Sequence, residues 1–243
     1  MFSNTKLALL FLLTTQFTDN CLAHPSVERS LGKRSPPVVM GAASAFGAIA
    51  ASTLTSTGNT VITGDCGTSP GTSITGFPPG VCTGITSAGG TLAVNAEAAC
   101  LTAYNAALAS TPTTPLSVSN LGGLTLNPGV YTFPTSAVTL SGILTLNGTL
   151  NANGQFIFLI DTTFTTAVSS EVLVINGAQA CNIYFIVGTS ASIGAASALQ
   201  GNLLAYTAIA AYSGASNKGT WCALNAAITL IDDSLTAITT CTT

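Results

Sequence analysis

The sequence is short of the groups on which catalysis and polyanion binding depend. Charged residues make up 5% of the chain, and four of its five basic residues, Lys6, Arg29, Lys33 and Arg34, crowd into the first 34 positions beside the single histidine, His24. Beyond them Lys218 stands alone against Asp65, Glu97, Asp161, Glu171, Asp232 and Asp233, a formal charge of −5 with no arginine and no histidine. Neutralising phosphates takes clustered Lys and Arg, so nucleic-acid binding is excluded. Neither a Ser/His/Asp nor a Cys/His nucleophile can be assembled after residue 34. No CxxC knuckle completes a metal site, and we expect neither metal nor cofactor. Gly64-Asp-Cys-Gly67 and Leu121-Gly122-Gly123 lack a phosphate-loop lysine and read as corners. Long apolar runs are missing as well. Mean hydropathy is +0.58, but it comes from Ala, Val, Leu and Ile interleaved with Thr, Ser, Asn and Gly, and no stretch after the leader reads as membrane-spanning.

What is present begins with a leader. Lys6 precedes the apolar run Leu7 to Leu13, which is too short for a bilayer and has the layout of a secretory signal peptide, here residues 1–23. Residues 24–34 close on the dibasic pair Lys33-Arg34 and read as a propeptide, leaving 35–243 as one domain with no linker or composition break. Secretion makes six cysteines, Cys66, Cys82, Cys100, Cys181, Cys222 and Cys241, candidates for disulfides. Six allow fifteen pairings. Spacing by about one repeat favours Cys66 with Cys82 and Cys222 with Cys241, which leaves Cys100 for Cys181.

Short repeats organise the C-terminal part. Gly201-Asn-Leu-Leu-Ala-Tyr-Thr207 lies over Gly219-Thr-Trp-Cys-Ala-Leu-Asn225 at a spacing of eighteen, and a similar stretch starts at Cys181. Units this small cannot bury a core singly, so they must stack, most naturally as coils of three short strands. Strand signals fall at 53–57, 60–64, 138–150, 155–161, 172–176 and 182–188, with Asn-Gly and Pro-Gly corners between them. A β-sandwich would give similar signals. The alanine-rich segment 92–108 predicts one helix with Leu92, Ala96, Ala99, Tyr104 and Leu108 near helical spacing, ended by the proline-rich stretch after it.

Two chemical features need placing. Asp232-Asp233 are adjacent carboxylates of the kind a sugar-cleaving β-helix uses, but no basic residues accompany them to grip an acidic sugar, and they read more plainly as solvated turn residues. Asn147-Gly148-Thr149 is the one glycosylation sequon after the leader. What the chain offers in quantity is short hydroxyls and methyls. On a flat solenoid face, strands about 4.8 Å apart with same-side residues at every second position make a near two-dimensional lattice of them. Methyls cage first-shell water while hydroxyls anchor it, and charges that impose their own hydration stay away.

Several stretches recur in order from Gly41 to the C-terminus: Thr60-Val-Ile-Thr-Gly-Asp65, Thr75-Gly-Phe-Pro-Pro-Gly80, Ala103-Tyr-Asn105, Leu121-Gly-Gly-Leu-Thr-Leu-Asn-Pro-Gly-Val-Tyr131, Phe156-Ile-Phe and Ile175-Asn-Gly-Ala-Gln-Ala-Cys-Asn-Ile183. In these the chain resembles the microbial β-solenoid ice-binding (antifreeze) proteins, in their fungal secreted form. The resemblance implies an all-β, right-handed β-helix of triangular section, coils stacked out of sequence order and one long helix packed alongside. It also implies adsorption to ice through a flat face, no enzymatic activity, and a monomer whose partner is ice and not membrane or nucleic acid. Gly219-Thr-Trp-Cys departs from the commoner Gly-Arg-Leu-Leu.

The family's face is not strictly repetitive, so its residues are assigned by alternation. Leu54 points inward and Thr53 and Thr55 outward; Ser190 and Ser192 point outward, as does Thr229. Thr207 and Asn225 are equivalent in the eighteen-residue repeat, as are Leu199 and Asn217, and all four join the candidate face. The runner-up reading is a secreted adhesin for cell wall or polysaccharide. That role calls for exposed aromatics, whereas Trp221 aligns with Leu203 and is expected inside.

Overall fold

Three parallel sheets wrap round a common axis in the computed structural model, which describes residues 36–241. The leader and its dibasic pair lie outside the described residues. Each coil runs through the faces in turn: Phe156–Ile160 on face A, Phe164–Thr166 on face B, Glu171–Ile175 on face C, and back to A with Ile183–Val187. Every strand pair is parallel, so each coil adds one rung to each sheet. No helix among the described residues is long and apolar enough to cross a membrane.

The inward residues form one continuous core. Phe158 and Phe185 stack at 4.8 Å between ring centroids, with Tyr131 beyond Phe158 and Phe164 against Phe185. Leu203 pairs with Trp221 in register, and both are buried, as the repeat predicts. Large aromatics on successive rungs fill the axis, and parallel strands covered on both sides explain why Phe46–Ala50, Phe156–Ile160 and Ile183–Val187 on face A read as unbroken apolar runs.

The coils do not stack in chain order. Face A runs Thr86–Ala88, Asp65–Thr68, Phe46–Ala50, then Trp221–Ala223, and only afterwards back through Asn202–Ala205, Ile183–Val187, Phe156–Ile160 and Gly129–Thr132 to Thr114–Pro115. The N-terminal coils thus sit beyond the C-terminal one, with Ala48 beside Trp221. Crossing back from Ala88 to Thr114 spans eight strand spacings, about 38 Å. The helix Thr91–Leu108 covers about 27 Å of that at 1.5 Å per residue, and residues 109–113 finish the crossing.

The helix lies where the sequence predicts, but turned. Ala93, Ala96, Cys100, Ala103, Tyr104 and Ala107 face the sheet, packing on Ile49, Ile157, Tyr184, Ile186, Leu204 and Cys222, while Leu92 and Leu108 are half exposed. Small side chains let the helix approach closely, and close approach decides most of the buried stripe here, with Tyr104 its one large member.

All six candidate cysteines are bridged. Cys66–Cys82 forms as predicted, whereas the other two pairs are Cys100–Cys222 and Cys181–Cys241, in place of Cys222–Cys241 and Cys100–Cys181. Cys222 lies on face A under the helix, so its neighbour is the helix cysteine and not the residue one repeat later.

Candidate functional site

Face A is covered by the helix and by the short 3-10 segment Gly41–Ala45. Face C is uneven: Lys218 and Glu171 sit on it, and Val61, Val81, Ile143 and Leu173 protrude from it. Face B differs from both. Its seven strands, Val138–Leu140, Phe164–Thr166, Ala191–Ile193, Ile209–Ala211, Ile228–Ile231, Thr53–Thr57 and Ser73–Thr75, follow one another in that order.

Register turns these strands into files. Thr139, Thr165, Ser192, Ala210, Thr229, Thr55 and Thr75 are consecutive partners, one per rung, and all point outward. The inward alternates, from Phe164 and Ala191 to Ile228 and Leu54, are buried in the core. Two residues ahead of the first file, on six of the seven rungs, runs a second, Thr163, Ser190, Ala208, Ala227, Thr53 and Ser73, equally small and with Thr53 paired to Ser73. The two files stand about 6.7 Å apart with rungs about 4.8 Å apart, so seven rungs make a strip about 29 Å long.

The strip's surface is mostly water-accessible hydroxyl and methyl. Thr75 Oγ1 donates to Thr55 Oγ1 at 3.3 Å, one of few side-chain hydrogen bonds along the files. No charged side chain lies in either file. Carboxylates stand only at the vertices: Asp161 is exposed in the turn ahead of Thr163, Asp232 Oδ1 accepts the Asn59 N–H at 2.7 Å, and the Asp233 oxygens accept the N–H groups of Ala215 and Ile231, each at 2.8 Å.

Asp233 is therefore not the solvated turn residue expected from sequence. It is buried, and burial pushes its carboxyl up to about 6 although both backbone N–H groups pull it down. Both carboxylates fasten the corner backbone, Asp233 through both oxygens and the exposed Asp232 through Oδ1. Among the described residues no group of three His, Cys, Asp or Glu side chains comes together that could hold a metal ion.

The structure brings five of the nine sequence-assigned face residues together, Thr53, Thr55, Ser190, Ser192 and Thr229, all on face B. Thr207 and Asn225 instead lie in the turns leading from face A into face B, where Asn225 Nδ2 donates to the Tyr206 carbonyl at 2.8 Å. Leu199 and Asn217 need correction. They pair with each other on face C and point inward, each 3% exposed. The eighteen-residue repeat identified them as equivalent, which they are, but equivalence does not say which side of the strand they take.

Sequence reasoning missed Thr75, Thr139, Thr163 and Thr165. The alternation Val138-Thr-Leu140 and Phe164-Thr-Thr166 carried the signal, yet only the stacking order places these strands on one sheet with Thr55 and Thr229.

Comparison with known proteins gives one consistent family. The Ice-binding-like family model matches residues 48–236. The chain is 42% identical over 193 residues to an ice-binding protein of Nostoc sp. (strain HG1), covering 79% of this chain and 71% of that one. It is 34% identical over 198 residues to ice-binding protein K3-B1 of Typhula ishikariensis, covering 71% of this chain and 78% of the other. Among solved structures, the ice-binding protein of the Antarctic ascomycete Antarctomyces psychrotrophicus superposes with a TM-score of 0.80 at 40% identity, covering 84% of this chain and all of that one.

Proposed function

Because the chain belongs to the ice-binding-like family, we propose that it adsorbs to ice through face B. It is an antifreeze protein: it binds ice and restrains ice growth. The observation that carries the choice of face is the uninterrupted, uncharged file from Thr139 to Thr75.

The mechanism follows from that file. Each Thr offers a methyl and a hydroxyl on a stem whose χ1 is restricted, so the water over it is held with little motion of the protein beneath. A single such contact is weak. Two files on a rigid parallel sheet repeat it at fixed spacing, and the contacts add because ordering them costs little further entropy. A protein held at many points does not readily leave the crystal. Ice growing between adsorbed molecules must then curve outward, and a curved front melts at a lower temperature than a flat one.

The same reading assigns the chain no catalytic role and no cofactor, since its adjacent carboxylates are engaged with backbone N–H groups. It acts outside the cell as a monomer after loss of residues 1–34, and three disulfides favour that oxidising setting.

The test is to block the face. Tyr suits a strand but stands above its neighbours, so Thr229→Tyr or Thr55→Tyr should cut thermal hysteresis severalfold and weaken crystal faceting, with the circular dichroism unchanged. Thr63→Tyr, on exposed face C, should keep full activity. Equal loss from both faces, or loss from face C alone, would refute the assignment.

A further inference from the structure

The geometry points to Asn147 as an N-glycosylation site whose glycan projects from the vertex opposite face B. Three observations carry this. The first is the acceptor chemistry. Asn147-Gly148-Thr149 is a complete sequon, and Thr149 Oγ1 donates to Asn147 Oδ1 at 2.6 Å while the Thr149 N–H donates to the same oxygen at 2.9 Å. Asn176 Nδ2 donates to it as well, at 3.0 Å. The N–H of Thr149 can only donate, which fixes the oxygen's place in the amide. All three hydrogen bonds thus fall on Oδ1 and none on Nδ2. A sugar on Nδ2 leaves every one of them intact.

The second observation is room. Asn147 is half-buried and Gly148 is buried, but residues 149–153 beyond them are all exposed, and Leu150 at 76% is more exposed than any other large apolar side chain described. A bare leucine in water gains from cover, and the apolar face of a sugar three residues away can supply it. The third observation is position. Asn147 ends the face C strand Ile143–Asn147, and the chain then turns into the face A strand Phe156–Ile160. In a coil of three faces, the vertex between C and A is the one that does not border B. A glycan there extends away from the Thr files, so the site is compatible with an ice-binding face in a way that a sequon on the B strands would not be.

The bond chemistry is a glycosyl transfer in the secretory compartment. Nδ2 of Asn147 attacks the anomeric carbon of an oligosaccharide linked to an isoprenoid diphosphate. The new bond is N–C, the C–O bond to the diphosphate breaks, the diphosphate lipid departs with the electron pair, and Nδ2 gives up one proton. No redox change occurs.

Mass spectrometry of the protein secreted from a eukaryotic host tests the proposal. The peptide containing Asn147 should carry hexosamine-bearing mass, and amidase release of the glycan should leave aspartate at that position. Asn147→Gln and Thr149→Ala should each return the bare polypeptide mass, and Thr149→Ser should keep the glycan. An unmodified peptide from a host that glycosylates a control protein overturns the assignment. The orientation rests on the face B reading and is tested separately: glycosylated and enzymatically deglycosylated samples should give equal thermal hysteresis. A change in hysteresis with proven occupancy overturns the orientation but leaves both the site and the antifreeze function standing.

Discussion

Removing the charge of Glu97 should abolish a pH dependence of stability that the fold otherwise carries. Glu97 lies on the helix near its contact with face A, with both carboxyl oxygens buried and neither hydrogen-bonded. Burial alone pushes its carboxyl from the ordinary 4.5 to about 8. The folded protein therefore keeps a proton that the unfolded chain has already lost. A state that binds more protons loses ground as pH rises, so stability is highest below about 4.5, falls through the interval up to about 8, and is flat above it. Asp233, raised to about 6, falls in the same direction but is finished by then. Above about pH 7 Glu97 acts alone, and from pH 6 to 8 its own share, at about 1.4 kcal/mol per pH unit, is about 3 kcal/mol in all as an upper figure. Water reaching the carboxylate as the helix edge relaxes lowers this to about 2 kcal/mol. Guanidinium unfolding with disulfides intact measures it. Glu97→Gln should match the parent at pH 4.5, exceed it by about 3 to 5 kcal/mol at pH 8.5, the whole fall between 4.5 and 8, and keep between pH 6 and 8 only the shallow remnant of slope that Asp233 leaves. A variant that keeps the parent's slope, or a parent that grows more stable from pH 6 to 8, would refute the reasoning.

Leu199→Ala removes a core side chain and should cost about 2 to 5 kcal/mol in denaturant unfolding, while hysteresis per folded molecule stays unchanged. Hysteresis lost without destabilisation would put Leu199 back on the surface. Replacing Cys100 and Cys222 together by Ser opens a closure of 122 residues and should cost about 3 to 5 kcal/mol, lowering Tm by about 10 °C, read by calorimetry at fixed protein concentration. An unchanged Tm would mean that the helix is held without its strap.

Much of the fold was legible because solenoid strands announce themselves locally. Val138-Thr-Leu140 alternates, face A strands such as Phe156–Ile160 and Ile183–Val187 are apolar throughout, and the alanine-rich segment can hardly be anything but helix. Within single strands the outward assignments of Thr53, Thr55, Ser190, Ser192 and Thr229 also followed, since the side of a residue is fixed by its neighbours' parity. The stacking order was not legible from the chain itself. That Thr229 stands beside Thr55, 174 positions away, is a property of the closed stack and leaves no trace in either strand. The same blindness produced the two wrong cysteine pairs. Leu199 and Asn217 failed for another reason: a repeat maps like onto like, and inward residues repeat as faithfully as outward ones. The repeat itself slips as well. Leu203 and Trp221 are eighteen apart, but Ile209 pairs with Ile228, nineteen on, because the turn carrying Asn225 holds one extra residue.

The placement of the first coils beyond the last has a consequence for biosynthesis. Phe46–Ala50 needs Trp221–Ala223 as its neighbour, and Thr53–Thr57 needs Ile228–Ile231, so these strands wait for partners more than 170 positions further along the chain. Until then only the edges turned toward Asp65–Thr68 and Ser73–Thr75 can pair, and the opposite edges stay open. Such long-range pairing is slow, and it exposes the nascent chain to aggregation. Loss of Trp221–Ala223 or Ile228–Ile231 should therefore be felt first at the amino-terminal coils, whose edges those strands cover.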